Sequence, residues 1–537
     1  MSGLANHLAV LPIAIPLIAG ALMIPPDEQR RSYRATLGII SILLTIAVAI
    51  ALLRAADTSS TAVSVYRLGS WPAVLGIVLV ADRLSAMLVL LSSILALAAL
   101  VFSLSRWHKM GAHFHALLQF QLMGLNGAFL TGDLFNLFVF FEVMLAASYG
   151  LALHGTGVAR VKAGLHYIAI NLAASLLFLI GVSMIYGVTG TLNMADLAAK
   201  IPAVPADSRI LLELGGAILG IVFLVKAGMW PLGFWLAPTY AAASPPAAAI
   251  FSMMSKVGVY AILRVSLLFF GAESGSEGFG GTWLVVGGLM TIAFGAVSVL
   301  ATQDLPRLAG ASVLVSSGTL LATVGSQQIA VTGGALYYLA TSALAIGAFF
   351  LLIELLERGR ELGADVLAVT MEAFGDGEEE EAEESEEVGV AIPATMAILG
   401  ASFLCCALLL AGLPPLSGFI AKFAILTAVL NPGGMGSGTP VPVTAWLLLA
   451  ALVLSGLAVI LAMLRAGIRH IWAASDRKPP RVRVIEMAPI LMLLLLCIGM
   501  TVEAGPVMRY MQATAASLHD TGPYVHSVLS EAGRARP

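Results

Sequence analysis

Two stretches decide how this chain folds: KAGMWPLGFWLAPTY at residues 226–240 and LAGLPPLSGFIAKFAI at residues 410–425. Each lies in an apolar run and sets a proline shortly after an Ala-Gly pair, where proline removes a backbone donor and clashes with the preceding turn. Aligned, they share Ala-Gly-x-x-Pro-Leu, with Ala227-Gly228 against Ala411-Gly412 and Pro231-Leu232 against Pro415-Leu416. Gly-Phe follows one residue later in the second copy. Paired helix breaks in two halves of a membrane protein point to a transport site and to an internal repeat. The alternative is a chance likeness between two proline-kinked helices.

Working outward, the 537 residues are 59% hydrophobic and 11% charged, with a mean hydropathy of +0.95. A soluble chain of this length would be about 25% charged, so most of this one is expected in lipid. Spans of about 20 apolar residues are predicted near 4–24, 34–54, 76–104, 113–131, 134–153, 163–187, 211–230, 241–266, 281–300, 308–326, 332–356, 392–429, 443–464 and 486–505. The expectation is an all-α polytopic bundle, because lipid-exposed backbone must satisfy its own hydrogen bonds. Leu4 to Ile24 reads as a first spanning helix rather than a signal peptide. The stretch after Glu503 is polar and reads as a short tail.

The net charge is -3 and no basic tract occurs, which argues against nucleic acid as a partner. Cys405, Cys406 and Cys497 lie in apolar runs and form no Cys-x-x-Cys pair. No cofactor is therefore expected, since an iron–sulfur or zinc site lacks its ligand set.

Against this apolar background four charges stand inside spans: Glu142, Lys226, Lys256 and Lys422. A charge near the bilayer centre costs about 2.5–3.5 kcal/mol on insertion scales, so such groups mark ion or proton paths. Glu142, in FNLFVFFEVMLAASYG, needs a positive partner at that depth, and Lys226 is the candidate. A lysine balanced between desolvation and a nearby carboxylate releases its proton when the carboxylate moves or is neutralised. A static buried pair is the alternative, although such pairs stabilise weakly once desolvation is counted. Lys256, in FSMMSKVGVYAILRV, either receives a proton from Lys226 through water or snorkels to an interface. Lys422 has no acidic neighbour in its own run and has moved from before the break to after it. His166, in ARVKAGLHYIAIN, is either a proton relay or a hydrogen-bonded residue at a helix start. Glu213, Asp133, Asp304 and Arg307 fall near helix ends and suit solvated or capping roles. Ser316, Ser317, Thr319, Thr341 and Ser342 either hold water or pack helices.

The basic residues set an orientation. Loops holding Arg30, Arg31, Arg34, Arg106, Lys109, Arg160, Lys162, Arg307, Arg358, Arg360 and the cluster from Arg465 to Arg483 alternate with the others, about 16 against about 9. The first set should face the cytoplasm, with both termini outside it. GDGEEEEAEESEE at 375–387 is then cytoplasmic, either a solvated linker or a cation-concentrating patch.

With these residues in view, the chain resembles the antiporter-like family that includes Mrp-type cation/proton antiporter subunits and the large membrane subunits of respiratory complex I. FNLFVFFEVMLAASYG, LVKAGMWPLGFWLAPTYAAASPP, SKVGVYAILR and AGLPPLSGFIAKFAIL carry the likeness, and VLVADRLSAMLV at 78–89 extends it. The details are most similar to the D subunits of multisubunit Mrp (Mnh, Pha) antiporters. The acidic insertion and ELLERGR at 354–360 resemble the Pha-type branch, which is associated with potassium/proton exchange.

The resemblance implies about fourteen transmembrane helices, two inverted five-helix repeats and broken seventh and twelfth helices. It divides the chain into a three-helix segment at 1–110, a first repeat at 111–268, a second repeat at 279–466 with its acidic loop at 372–388, and a C-terminal helix and tail at 467–537. It also implies that Glu142 pairs with Lys226 and that Lys422 ends the proton route. Many relatives carry a histidine or lysine in the tenth or eleventh helix, whereas YYLATSALAIGAFFLL at 337–352 has neither. Passage from Lys256 to Lys422 would then use water and hydroxyls.

The expected function is a secondary transporter subunit, not an enzyme, in a bacterial cytoplasmic membrane. It would exchange cytoplasmic Na+ or K+ for protons with other hydrophobic subunits as partners. The alternative is a proton-pumping subunit of a complex I-like or hydrogenase redox complex.

Overall fold

The computed structural model describes residues 7–25, 31–58, 63–111, 113–272, 274–358, 394–434, 436, 438–472 and 482–530. The acidic run at 375–387 with its loop 372–388, and Arg30, Arg360, Arg477, Lys478 and Arg481, lie outside the described residues.

Apolar runs become helical rods. α1 (Leu11–Met23) and α2 (Arg31–Thr58) lead into an antiparallel hairpin, β1 (Val63–Arg67) and β2 (Val78–Asp82). Then come α3 (Arg83–Ser103), α4 (Phe114–Leu130), α5 (Leu134–Ala152), α6 (Val158–Thr189) and the short α7 (Met194–Lys200). The centre of the chain forms α8 (Ala206–Ala227), α9 (Leu236–Ala242), α10 (Pro245–Phe269), α11 (Gly281–Ala301), α12 (Leu305–Gly325) and α13 (Ile329–Glu357). The last third forms α14 (Ala394–Ala411), α15 (Ser417–Leu430), α16 (Val443–Gly467), α17 (Val484–Val502), α18 (Ala504–His519) and α19 (Gly522–Leu529). Twelve described helices are long and apolar enough to cross a membrane, and α1 and α15 are shorter apolar ones. The chain is a polytopic helical membrane protein.

Both expected breaks are present. α8 stops at Gly228 (φ +78) and α14 at Gly412 (φ +74), left-handed positions that only glycine adopts without strain. The chain then turns back on the helix it has left. A Cβ at Gly233 would lie 2.1 Å from the Gly228 carbonyl oxygen, and one at Gly418 would lie 2.2 Å from that of Leu409. The Gly-Phe pairs shared by the two motifs therefore serve the same close approach.

α10 is buried along its whole most apolar window, and α12 and α13 along 94% of theirs, whereas α2 and α11 are buried along 33%. The first three form the centre and the last two lie at the periphery of the bundle. Gly258 lets α10 touch the end of α8, since a Cβ there would lie 2.5 Å from the Ala227 nitrogen.

Two expectations need correction. Residues 78–82, read as the start of a span at 76–104, form β2 instead; Val78, Leu79 and Val80 suit a buried strand. Asp82 then starts α3, accepting the Ser85 N–H while Ser85 Oγ accepts its own, each at 2.8 Å. The stretch after Glu503 is no tail over its described length. α18 buries Met511, Thr514, Ala515 and Leu518 against α13. α19 buries Tyr524 and Val528 against α7 and β1, and Arg67 donates to the Val528 and Ser530 carbonyls at 2.7 Å each.

Candidate functional site

Lys226 lies in the last turn of α8, just before the first break, and is 5% exposed. Its ammonium has no hydrogen-bond partner among the described residues and stands 5.0 Å from the Phe141 ring centroid. Glu142, half-buried on α5, instead accepts a hydrogen bond from the Ser175 hydroxyl. The pair implied by the resemblance makes no hydrogen bond or ion pair among the described residues.

Lys256, near the middle of α10, is fully buried and donates to Ser316 Oγ at 2.5 Å. Ser316 in turn donates to Ser342 Oγ at 3.0 Å. These hydroxyls open on a small cavity of about 10 Å³ between α12, α13, α14, α15 and α16, room for about one water. Tyr338, Thr341, Leu410 and Gly418 also line it, and the Thr341 hydroxyl is buried without a partner. Lys422, 6% exposed on α15, lies one turn beyond Gly418 and donates to the Ala411 carbonyl at 2.8 Å.

His166 is exposed and bonded to the Lys162 carbonyl at 2.8 Å. It makes no hydrogen bond to the four intramembrane charges. It lines a surface cavity of about 630 Å³ with Lys162, Asp304, Arg307 and Glu357. At the floor are Thr239 and Trp235, whose indole N–H is buried without a partner. Tyr167 stacks on Trp235 at 5.1 Å, its hydroxyl meets Ser148 Oγ at 2.6 Å, and Tyr149 packs edge-on at 5.3 Å. Tyr149 stands seven residues after Glu142, about two turns along α5. A polar and aromatic column thus runs from the surface cavity to Tyr149, on the helix that carries Glu142.

Of the remaining polar residues, Asp133 caps α5 by accepting the Asn136 N–H at 2.9 Å. Glu213 accepts from Ser276 at 2.7 Å, and Asp304 faces Arg307 at 3.4 Å. Sequence alone passes over the buried Arg264–Asp82 pair at 2.6 Å. A signal for it exists: Arg264 stands eight residues after Lys256, on the same face of α10.

Residues 131–436 match the family described as NADH:quinone oxidoreductase/Mrp antiporter, transmembrane. The chain is 59% identical over 531 residues to the probable K(+)/H(+) antiporter D subunit of Rhizobium meliloti (strain 1021), covering 98% of each. It is 32% identical over 535 residues to the Na(+)/H(+) antiporter D subunit of Alkalihalophilus pseudofirmus, covering 98% of this chain and 100% of the relative. A chain of the solved Mrp complex from Dietzia sp. DQ12-45-1b superposes with a TM-score of 0.81 at 25% identity, over 98% of this chain and 100% of that one. The extent and depth of these likenesses, on a fold broken at the two matched motifs, place the chain in the NADH:quinone oxidoreductase/Mrp antiporter family, among its antiporter D subunits.

Proposed function

We propose that this chain is the proton-translocating membrane subunit of a multisubunit antiporter that exchanges cytoplasmic Na+ or K+ for external protons. The proton passes along Glu142, Lys226, Lys256 and Lys422. The lysines change charge as it moves, and their field acts on a cation site or on a neighbouring subunit. The carrying observation is the bonded series from Lys256 through Ser316 and Ser342 to the cavity beside the second break, where Lys422 lies. Hydroxyls, with room for one water, stand where the sequence has no histidine or lysine in helices α12 and α13.

The cavity at His166 is the cytoplasmic mouth, with His166 as a relay at its rim. The basic-residue bias supports that side and puts both termini outside the cytoplasm, in a bacterial inner membrane. The two matched breaks support inverted repeats at 111–268 and 279–466. The relatives' names support partner subunits and an exchanger rather than a redox pump, and the identity to a K(+)/H(+) relative favours potassium.

The deciding experiment expresses the whole complex in cells lacking their own antiporters and follows collapse of a pH gradient on adding Na+ or K+. Lys422→Ala should abolish exchange while the complex assembles. Wild-type exchange in an assembled variant would overturn the route.

A further inference from the structure

α10 carries Lys256, Tyr260 and Arg264 at four-residue spacing, so all three share one face. They climb about 12 Å from the central lysine toward the end of the helix. Tyr260 donates to the Phe129 carbonyl at 2.8 Å. Arg264, 5% exposed, meets Asp82 at 2.6 Å and lies 5.4 Å from the ring centroids of both Tyr260 and Tyr524. Directly beyond it opens a cavity of about 450 Å³ lined by Asp82, Arg264, Ser517, Asp520 and Tyr524, under α18 and α19. The basic-residue bias assigns this end of α10 to the external side.

A coupled exchanger has to keep its central proton carrier out of contact with external water. Here two helical turns separate Lys256 from an open cavity, and one guanidinium fills the end of that gap. A fixed positive charge repels hydronium and metal cations alike. Guanidinium also keeps its protons, so it does not hand one on as lysine or histidine would. Asp82 and the two tyrosine rings hold it in place. We propose that Arg264, anchored by Asp82, is the seal that closes Lys256 off from the external cavity and keeps exchange coupled. This rests on Lys256 being a proton carrier.

The test uses everted membrane vesicles containing the whole complex, energised by respiration in choline buffer without Na+ or K+. Asp82→Asn with Arg264→Gln replaces the ion pair by a neutral hydrogen-bonded one. The expected result is an assembled complex whose steady pH gradient falls about twofold or more through leak. Asp82→Asn alone weakens the anchor but keeps the guanidinium, and should leak less than the double variant. An assembled double variant that holds the wild-type gradient overturns the seal, and so does a leak in Asp82→Asn alone as large as that of the double variant.

Should the double variant fail to assemble, single cysteines in the complex with Arg264 intact decide the matter. Val257→Cys lies on the Arg264 face, two turns deeper, and Ser517→Cys lies in the cavity. A membrane-impermeant thiol reagent applied outside whole cells should label position 517 and spare position 257. Labelling at 257, or none at 517, overturns the proposal. Lys256→Ala with undiminished exchange would instead sink the carrier role beneath it. A tight double variant beside an inactive Lys256→Ala sinks only the seal.

Discussion

The ammonium of Lys422, in the second turn of α15, donates to the main-chain carbonyl of Ala411, the last residue of α14, at 2.8 Å. In the first half, Lys226 belongs to the last turn of α8, one residue before the position that matches Ala411. The two lysines approach their breaks from opposite sides in sequence, yet both belong to the carbonyl end of the leading half-helix. That end carries negative partial charge from unpaired carbonyls. Lys422 therefore has a counter-charge without a carboxylate, which no inspection of its own apolar run would reveal.

Gly456 of α16 guards this contact. A Cβ there would lie 2.7 Å from the Ala411 oxygen and 3.6 Å from Lys422 Nζ. In an ordinary helix interior, glycine to alanine gains about 1 kcal/mol; here the methyl has to displace a carbonyl. Gly456→Ala should yield an assembled complex that exchanges about tenfold more slowly, since small misplacements of reacting groups are costly. Gly499→Ala, where a Cβ meets nothing within 4 Å, should be neutral. Equal exchange rates for the two variants would remove Gly456 from the site.

Ser316 is the only side chain that hydrogen-bonds Lys256 among the described residues, and it passes the link to Ser342. Ser316→Ala breaks both steps at once. Exchange should slow by roughly tenfold, the scale of a weakened proton transfer, with a larger slowing in D2O than wild type shows. Ser342→Ala leaves the first step and should cost less. If Ser316→Ala exchanges normally in both solvents, the hydroxyl route is wrong.

Much of this architecture was legible because its signals are local. A run of apolar residues is a span whatever its neighbours do, so the spans read at 134–153 and 281–300 became helices Leu134–Ala152 and Gly281–Ala301. The breaks were legible for the same reason, being written in Gly and Pro within a few residues. Other features were not local. β2 is a strand because β1 pairs with it, at Val63 against Asp82 and onward. α18 has Met511, Ala515 and Leu518 at helical spacing within a polar run, a weak stripe until α13 supplies its partner. The charges at Glu142, Lys226, Lys256 and Lys422 stood out against lipid-soluble sequence. Arg264 and Asp82 fell near predicted helix ends, where charge is ordinary, and only packing shows them buried.

The anchoring of the C-terminal helices gives a separate test. Arg67 holds the end of α19 by two hydrogen bonds to main-chain carbonyls, at 2.7 Å each. Charge-assisted bonds of this kind contribute about 1.5–3 kcal/mol when buried, and less at this half-buried site. Arg67→Ala should leave the membrane bundle intact but expose α19 to limited proteolysis. The C-terminal segment should be cut several-fold faster (roughly 5-fold or more per kcal/mol lost). An unchanged cleavage rate would mean that Tyr524 and Val528 alone hold the helix.

His154 gives the protein an acid-sensitive contact. It sits in the turn between α5 and α6, outside the spanning segments, with Nε2 bonded to the Trp107 carbonyl at 2.8 Å. Trp107 donates to Glu354 at 2.5 Å, and Arg358 joins Glu354 to Glu486 at 2.6 and 2.7 Å, so this turn is tied to α13 and α17. Burial, reinforced by the nearby Arg160 charge, holds the His154 pKa below its ordinary 6.5 despite the opposing Trp107 bond. His108 is shifted the same way, chiefly by burial. The folded state thus takes up protons later than the unfolded chain as pH falls. The stability these histidines contribute is complete above pH 6.5 and is lost as pH drops through their lowered values. The melting temperature of the detergent-solubilised complex should be flat from about pH 8 to 7 and decline below about 6.5. His154→Gln keeps a donor for the Trp107 carbonyl without titrating, and should shallow that decline. A variant that melts with the same pH slope as wild type would place the acid sensitivity elsewhere.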